Sequence, residues 1–144
     1  MNKLTYAKDK LKNGGHSLVI SADCDTIISD GKGIRPLIEA LDAVNEHTEI
    51  FAADRIVGKA AAMLYVLMKA KGIWAEVISK PAFILLSENG IELEYETLTD
   101  NIINRSGTGL CPMEQAVRDI DDPHAAYEAI KQRIDELSET EGKR

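Results

Sequence analysis

The sequence lacks the features on which several large classes of protein depend. It contains only two cysteines, Cys24 and Cys111, and their wide separation does not suit the framework of a disulfide-rich protein. No apolar run approaches the roughly 20 residues that a membrane-spanning helix needs, and no signal-peptide pattern opens the chain. We therefore expect a cytoplasmic protein with reduced thiols and no membrane partner.

An excess of basic residues is also missing. The formal net charge is −7, and the 17 lysines and arginines form no cluster. Because proteins bind phosphate backbones through clustered Lys and Arg, we expect no nucleic-acid partner. The length of 144 residues and the hydrophobic share of 44% suit one globular domain. We place this domain at residues 1–137 and predict a frayed tail at 138–144, with homo-oligomerisation left open.

The stretch from Asp54 to Gly72 is predicted to be the central helix. Asp54 is a favourable N-cap, and Lys69, Lys71 and Gly72 suit a helix C-terminus. Between these ends the apolar residues cover nearly the whole circumference, which predicts a buried helix. One ionisable residue, Lys59, lies within this apolar zone near the N-terminal end and marks the place for a functional site.

The remaining segments alternate between helical and strand patterns. Helices are predicted at 2–12, 36–44 and 81–88, at 97–104, from Cys111, and from Asp122 to Leu137. Strands are predicted at 17–21, 26–29, 49–53, 73–79 and 91–95. A hairpin followed by alternating strands and helices predicts a three-layer α/β/α sandwich with a mixed five-stranded sheet. In such sheets ligands bind at the carboxyl ends of the parallel strands.

This order of elements is similar to that of the cytidine deaminase-like fold. Three motifs carry a narrower resemblance: Asp54-Arg55-Ile56-Val57-Gly58-Lys59-Ala60-Ala61-Ala62, Asn104-Arg105 and Cys111-Pro112-Met113-Glu114. In these motifs the chain resembles a family of small proteins that is classed as a domain of unknown function. The resemblance extends from about residue 18 to residue 117. It implies a deaminase-like fold but no particular activity, because none is established for the family.

The residues that deaminase zinc chemistry needs are missing. Zinc deaminases use a His or Cys followed two positions later by Glu, and then a Pro-Cys-x-x-Cys motif. By element order these motifs would fall at Gly33–Pro36 and Asp54–Val57, and neither place holds a His or a Cys. The alternative places, Lys59–Ala61 and Cys111–Glu114, offer one thiol, one lysine and one carboxylate. We therefore predict no metal site, no bound zinc and no cofactor.

Four residues are candidates for catalysis: Cys111, Lys59, Asp54 and Glu114. Cys111 precedes Pro112, which suits the first position of a helix, and a helix N-terminus favours a thiolate. Lys59 would anchor a phosphate or carboxylate, or transfer a proton. Each also has a structural interpretation. Cys111 would be an inert buried residue, Lys59 an ion-pair partner of Asp54 or Glu114, Asp54 a simple N-cap, and Glu114 a first-turn helix acid.

A glycine-rich loop is the candidate ligand-binding segment, and it consists of Arg105, Ser106, Gly107, Thr108 and Gly109. Glycines, hydroxyls and a guanidinium that lead into a helix N-terminus are typical of anion sites. A solvated loop is the alternative. We expect any ligand to be an anion held between the start of the central helix and this loop.

Two functional interpretations stay open, besides a purely structural or partner-binding role. The first is a binding module for a small anionic or nucleotide-like molecule, on a deaminase-like scaffold that lacks the zinc site. The second is a metal-independent enzyme in which Cys111 is the nucleophile and Lys59, Asp54 or Glu114 assists. The lack of a recognisable acid–base pair or complete triad favours binding over catalysis.

Overall fold

A computed structural model describes residues 2–23, 25–31, 33–44, 49–103 and 106–142, with side chains described as far as residue 137. Within these residues the chain forms six helices and one five-stranded sheet. The helices are α1 (Lys3–Gly14), α2 (Arg35–Val44), α3 (Lys59–Leu67), α4 (Lys80–Glu88), α5 (Pro112–Val117) and α6 (Pro123–Gly142). The strands are β1 (Leu18–Ala22), β2 (Asp25–Ser29), β3 (Ile50–Val57), β4 (Gly72–Ser79) and β5 (Glu92–Thr99). The α/β class with a mixed five-stranded sheet is confirmed.

The strands follow the order β2-β1-β3-β4-β5 across the sheet. β1 is antiparallel to both β2 and β3, whereas β3, β4 and β5 are parallel to one another. β1 and β2 form the predicted hairpin, whose turn includes Asp23 with a φ of 53°. The three parallel strands end at the same edge of the sheet, at Val57, Ser79 and Thr99. The segments that follow these strands therefore come together there, as the sequence predicts for a ligand site.

Helices cover both faces of the sheet. α1 packs on one face in a small cluster of three helix and three strand residues: Leu4, Ala7, Leu11, Val19, Ala53 and Trp74. The opposite face carries α2, α3 and α4, which contact β1, β3 and the β4–β5 pair respectively and form the larger core. The amphipathic pattern of α1 and the apolar strands of the parallel sheet account for these two cores.

The central helix α3 is buried because β3 and four helices, α2, α4, α5 and α6, pack on it. It contacts β3 of the sheet and also α6, whose Ala126 and Ile130 belong to the same core. All six residues from Ala60 to Tyr65 are at most 4% exposed. Packing on more than one side explains why apolar residues cover its circumference, and it confirms the prediction of a buried central helix.

The predicted N-terminal boundary of this helix is wrong. β3 continues through Val57, which still pairs with Ile78 of β4. Asp54 therefore lies inside a strand and is not an N-cap. Gly58 takes the N-cap position, and Lys59 is the first helical residue. Pairing with β4 across the sheet outweighs the local helix-starting preference of aspartate.

The predicted C-terminal boundary is wrong as well. α3 ends at Leu67, with Met68 as its C-cap, and Lys69 adopts a left-handed conformation with a φ of 61°. Gly72 does not terminate the helix but begins β4, where it pairs with Phe51 of β3. The chain leaves the helix early because β4 must begin beside the start of β3.

The helix predicted at 97–104 is also wrong. β5 extends through Thr99, because Thr97 and Thr99 pair with Val77 and Ser79 of β4. Threonine is β-branched and suits a strand, so tertiary pairing and local preference agree here. The strand predicted at 91–95 is thus the first part of a longer one.

At the C-terminal end the predicted boundary falls short of the observed one. α6 continues through Gly142, beyond the end expected at Leu137, so residues 138–142 belong to the helix rather than to a tail. In the described part of the chain no helix is both long and apolar enough to cross a membrane.

Candidate functional site

A groove of about 520 Å³ lies where the three parallel strands end. Lys59, Pro81 and Asn101 each follow the last residue of one parallel strand by two positions, and all three line the groove. One wall is a side of α4, and another is the segment around α5. The full lining consists of Lys59, Met63, Pro81, Ile84, Leu85, Glu88, Asn89, Asn101, Leu110, Glu114, Arg118 and Asp121.

The side chain of Glu114 caps the N-terminal end of α3. It lies on α5, is only 8% exposed, and accepts hydrogen bonds from the backbone N–H groups of Lys59 at 2.7 Å and Ala60 at 2.9 Å. These are first-turn amides without partners inside the helix, and Gly58 has no side chain to cap them. The carboxylate therefore satisfies both amides and offsets the positive end of the helix dipole. Glu114 thus occupies the position that the sequence assigned to a ligand anion.

Gly58 makes this contact possible. A Cβ atom at position 58 would lie 2.4 Å from Oε1 and 2.5 Å from Cδ of Glu114, well inside van der Waals contact. The φ of Gly58 is −100°, which any residue can adopt. Glycine is therefore needed here for space and not for its conformational freedom.

The groove combines positive and negative side chains. Nζ of Lys59 donates a hydrogen bond to the backbone carbonyl of Arg118 at 2.9 Å, and an ammonium has two further protons to donate. Arg118 adds a second positive charge, while Glu88 and Asp121 bring carboxylates to the same lining. This mixture suits a ligand that has both an anionic group and hydrogen-bond donors better than it suits a bare anion.

A second feature lies beneath α3. The hydroxyl of Tyr65, a fully buried residue, donates a hydrogen bond to Oδ2 of Asp54 at 2.7 Å. Burial raises the pKa of Asp54 to about 6, although the Tyr65 hydroxyl and backbone N–H groups of residues 55 and 56 favour its charged form. Asp54 as a whole is half-buried, and the Tyr65 hydroxyl contacts its carboxyl group. Burial, and then the charge of Asp54, raise the pKa of Tyr65 well above its ordinary value.

Comparison with known proteins decides the family. The family model for TM1506, a domain of unknown function (DUF1893), matches residues 6–134. The chain belongs to the DUF1893 family. The crystal structure of a DUF1893 family protein (TM1506) from Thermotoga maritima is similar, with a TM-score of 0.80 and 29% sequence identity over 94% of this chain and 92% of that one. No curated protein matches the chain. The predicted resemblance to a domain of unknown function is confirmed.

In this DUF1893 protein the groove brings together two of the four predicted catalytic residues. Lys59 and Glu114 line it, but they meet through the backbone N–H of Lys59 and not as an ion pair of side chains. Cys111 and Asp54 are not among the lining residues. Cys111 is half-buried at the N-cap of α5, as predicted, and its backbone N–H donates to the carbonyl of Ile102.

The reactivity of Cys111 gives a first test of the site. We expect alkylating reagents to modify Cys111 before Cys24 at neutral pH, because Asp23 and Asp25 flank Cys24 in the sequence and disfavour a thiolate there, whereas Cys111 is half-buried at the start of α5, within reach of a small reagent. Cys24 itself lies outside the described residues. Mass-mapped alkylation of the native protein checks this order, with Cys111→Ser as the control that should lose the faster modification. Faster labelling of Cys24 would contradict it.

Among its described residues, the predicted ligand loop approaches the groove only through the residue that follows it, Leu110. Arg105 lies outside the described residues, and none of the positions from Ser106 to Gly109 lines the groove. Ile103 and Leu110 form an antiparallel bridge that closes the loop, and Leu110 is the residue that reaches the lining. Within the loop the hydroxyls of Ser106 and Thr108 lie 2.9 Å apart.

Sequence reasoning missed three residues that shape this region. Tyr65 looked like one more apolar residue of a buried helix, and Arg118 belonged to no motif. Gly58 was only one member of a family motif, although a glycine directly before a helix without a capping side chain could have indicated a cap from elsewhere in the chain. Among the described residues no group of three or more His, Cys, Asp or Glu side chains could hold a metal ion.

Proposed function

We propose that this protein binds a small nucleotide-like molecule in the groove at the start of α3. The observation that carries the proposal is a groove at the carboxyl ends of three parallel strands, whose lining includes the two basic residues Lys59 and Arg118 beside apolar side chains. Ligands of open α/β sheets bind at this edge. An apolar lining with a few convergent polar groups is also typical of small-molecule sites.

The lining chemistry favours a composite ligand. An anionic group such as a phosphate would bind to Lys59 and Arg118, which are the positive side chains of the lining. Hydroxyl or amine donors of the ligand would face the carboxylates of Glu88 and Asp121. A flat or apolar part would pack on the side chains of α3 and α4 that line the groove, namely Met63, Ile84 and Leu85. Inorganic phosphate offers only the first of these features.

The scaffold that we propose is deaminase-like but without zinc chemistry. The observed order of helix, hairpin and alternating helices and strands supports the resemblance. With the corrected start of α3, the positions where a deaminase would need its second ligand motif hold Gly58 and Lys59, and α2 begins at Arg35-Pro36. None of these residues is a zinc ligand. A cytoplasmic location remains part of the proposal.

The metal-independent enzyme has less support. Its proposed nucleophile, Cys111, does not line the groove, and Asp54 lies beneath α3 instead of beside Lys59. Nucleophilic catalysis needs the nucleophile and its base within hydrogen-bonding reach of each other. Ligand binding is therefore the function that the geometry supports best.

Thermal unfolding with a set of ligands tests the proposal. We expect nucleoside monophosphates to stabilise the protein more than sugar phosphates, and both more than inorganic phosphate or the bare nucleoside. Binding at 100 times the Kd should add about 2.7 kcal/mol to the free energy of unfolding. Lys59→Ala and Arg118→Ala should each lose most of this gain, because each removes one of the groove's positive charges.

Lys80→Ala is the matched control. Lys80 is also the first residue of a helix, but its ammonium pairs with Asp100 at 2.8 Å and it does not line the groove. This variant should keep the wild-type response to every ligand. A flat response of the wild type across the set, or an equal gain in Lys59→Ala, would exclude the proposed site.

A further inference from the structure

The hydrogen bond between Asp54 and Tyr65 spans the connection that carries the groove's lysine. It joins the middle of β3 to the second turn of α3, across a separation of 11 residues. Gly58, Lys59 and Ala60 lie between its two ends, and they include both amides that hold Glu114. The position of α3 along β3, and with it the position of those amides, thus depends on this bond.

The surroundings of Asp54 contain no compensating charge. Across the sheet it lies opposite Leu18 of β1 and Ala75 of β4, and α3 presents the Tyr65 hydroxyl. The neighbouring Arg55 has its guanidinium engaged by the carboxylate of Glu76 and by the carbonyls of Leu11 and His16. Among the described residues, therefore, no cation faces the Asp54 carboxyl from an element packed against it.

A buried carboxylate in this setting costs stability, which a purely structural role does not explain. An asparagine would accept the same hydrogen bond from Tyr65 without a charge. Burial outweighs every contact that favours the carboxylate, and it moves the pKa of Asp54 to about 6. Perturbed acids of this kind concentrate at functional sites. Because Asp54 is outside the groove lining, its effect on the groove must act through Tyr65 and α3.

We propose that Asp54 is a positioning residue for the groove, which holds the first turn of α3 and the Lys59 ammonium in place through its hydrogen bond with Tyr65. The inference rests on the proposed function of the groove. A hydrogen bond to a carboxylate is about twice as strong as one between neutral groups. Protonation of Asp54 therefore loosens the connection between β3 and α3, and deprotonation tightens it.

The test follows backbone amides by NMR in the ligand-free protein between about pH 5 and pH 8. In the wild type, the amide signals of Lys59 and Ala60 should shift with a midpoint near pH 6, the pKa expected for Asp54. In Asp54→Asn this titration should disappear, because the amide of asparagine does not ionise. The amide of Ala7, a buried residue of α1 on the opposite face of the sheet, should not share it.

Tyr65→Phe provides a second test, for which the direction of the change is predicted. It removes the hydrogen bond that favours the carboxylate, so the midpoint should move to higher pH. If Asp54→Asn does not fold, this variant decides alone. A titration that persists in Asp54→Asn, a midpoint that stays unchanged in Tyr65→Phe, or an equal shift at Ala7 would overturn the proposal. No ligand is present, so a failed ligand assay leaves this result untouched.

Discussion

Replacing Glu114 with alanine is expected to lower the free energy of unfolding by about 2–4 kcal/mol. The carboxylate satisfies the backbone N–H groups of Lys59 and Ala60, and Ala60 is only 1% exposed. An unpartnered buried donor costs about 1–3 kcal/mol, and loss of the negative charge at the helix N-terminus adds to this. Urea unfolding measures the change through the midpoint at an unchanged slope.

Gly58→Ala should destabilise the protein by a similar amount and for the same reason. The added methyl group would lie 2.4 Å from Oε1 of Glu114, so the carboxylate must leave its two amides. The three nearest atoms to this methyl group all belong to Glu114, so the clash with them disappears once Glu114 is absent. The double variant Gly58→Ala/Glu114→Ala should therefore be about as stable as Glu114→Ala alone, which corresponds to a coupling of roughly 2 kcal/mol.

Gly109→Ala is the matched control for the glycine substitution. A Cβ atom at Gly109 would meet nothing within 4 Å, and its backbone is not left-handed. This variant should change stability by less than about 0.5 kcal/mol. If the effects of Gly58→Ala and Glu114→Ala simply add, the two residues do not act through one contact, and the assignment of Glu114 as the cap of α3 is wrong.

The contact between Glu114 and α3 could not be predicted from the sequence. The two ends of this contact are 55 residues apart, and nothing near Glu114 in the sequence indicates its partner. Local rules assigned Glu114 to the first turn of its own helix, where an acid is favourable. The site residues Lys59 and Glu114 could be named from their chemistry, but their joint contact requires the fold.

Local sequence patterns predicted the secondary structure correctly where tertiary packing and the intrinsic preference of the residues favour the same structure. The β1–β2 hairpin and the buried helix α3 follow directly from turn residues and from apolar residues around the whole helix. The local patterns gave wrong helix boundaries at Asp54 and at Thr97, where a good helix-starting residue lies inside a strand that pairs with β4. A strand end cannot be located from its own residues when the neighbouring strand determines how far pairing continues.

The pH dependence of stability should identify Asp54 as a buried acid. Its pKa is about 6 in the folded protein and near 3.8 when exposed. Between these values the folded state binds more protons than the unfolded state, so stability falls as pH rises through this window and levels off above it. The difference between the two pKa values lowers the free energy of unfolding by at most about 3 kcal/mol, since each pKa unit corresponds to 1.36 kcal/mol.

Asp54→Asn removes this dependence and still accepts the hydrogen bond from Tyr65. The free energy of unfolding of the variant, relative to that of the wild type, should increase by up to about 3 kcal/mol between pH 4 and pH 7.5. The substitution also has a pH-independent effect on stability, which does not alter this increase. Urea unfolding at several pH values gives this difference. Comparison with the wild type cancels the contributions of acids that both proteins share.

Asp100→Asn supplies a control of opposite sign. The hydrogen bond from Lys80, and then its charge, hold the pKa of Asp100 below its ordinary value, so Asp100 contributes stability above that value and loses it on acidification. Below the ordinary pKa of 3.8, Asp100→Asn should therefore become less favourable relative to the wild type as pH rises, and its effect should be nearly constant at higher pH, whereas Asp54→Asn becomes more favourable up to about pH 6. Both variants changing in the same direction, or a pH-independent effect of Asp54→Asn, would mean that the Asp54 carboxyl is solvated and that Tyr65 does not hold it under α3.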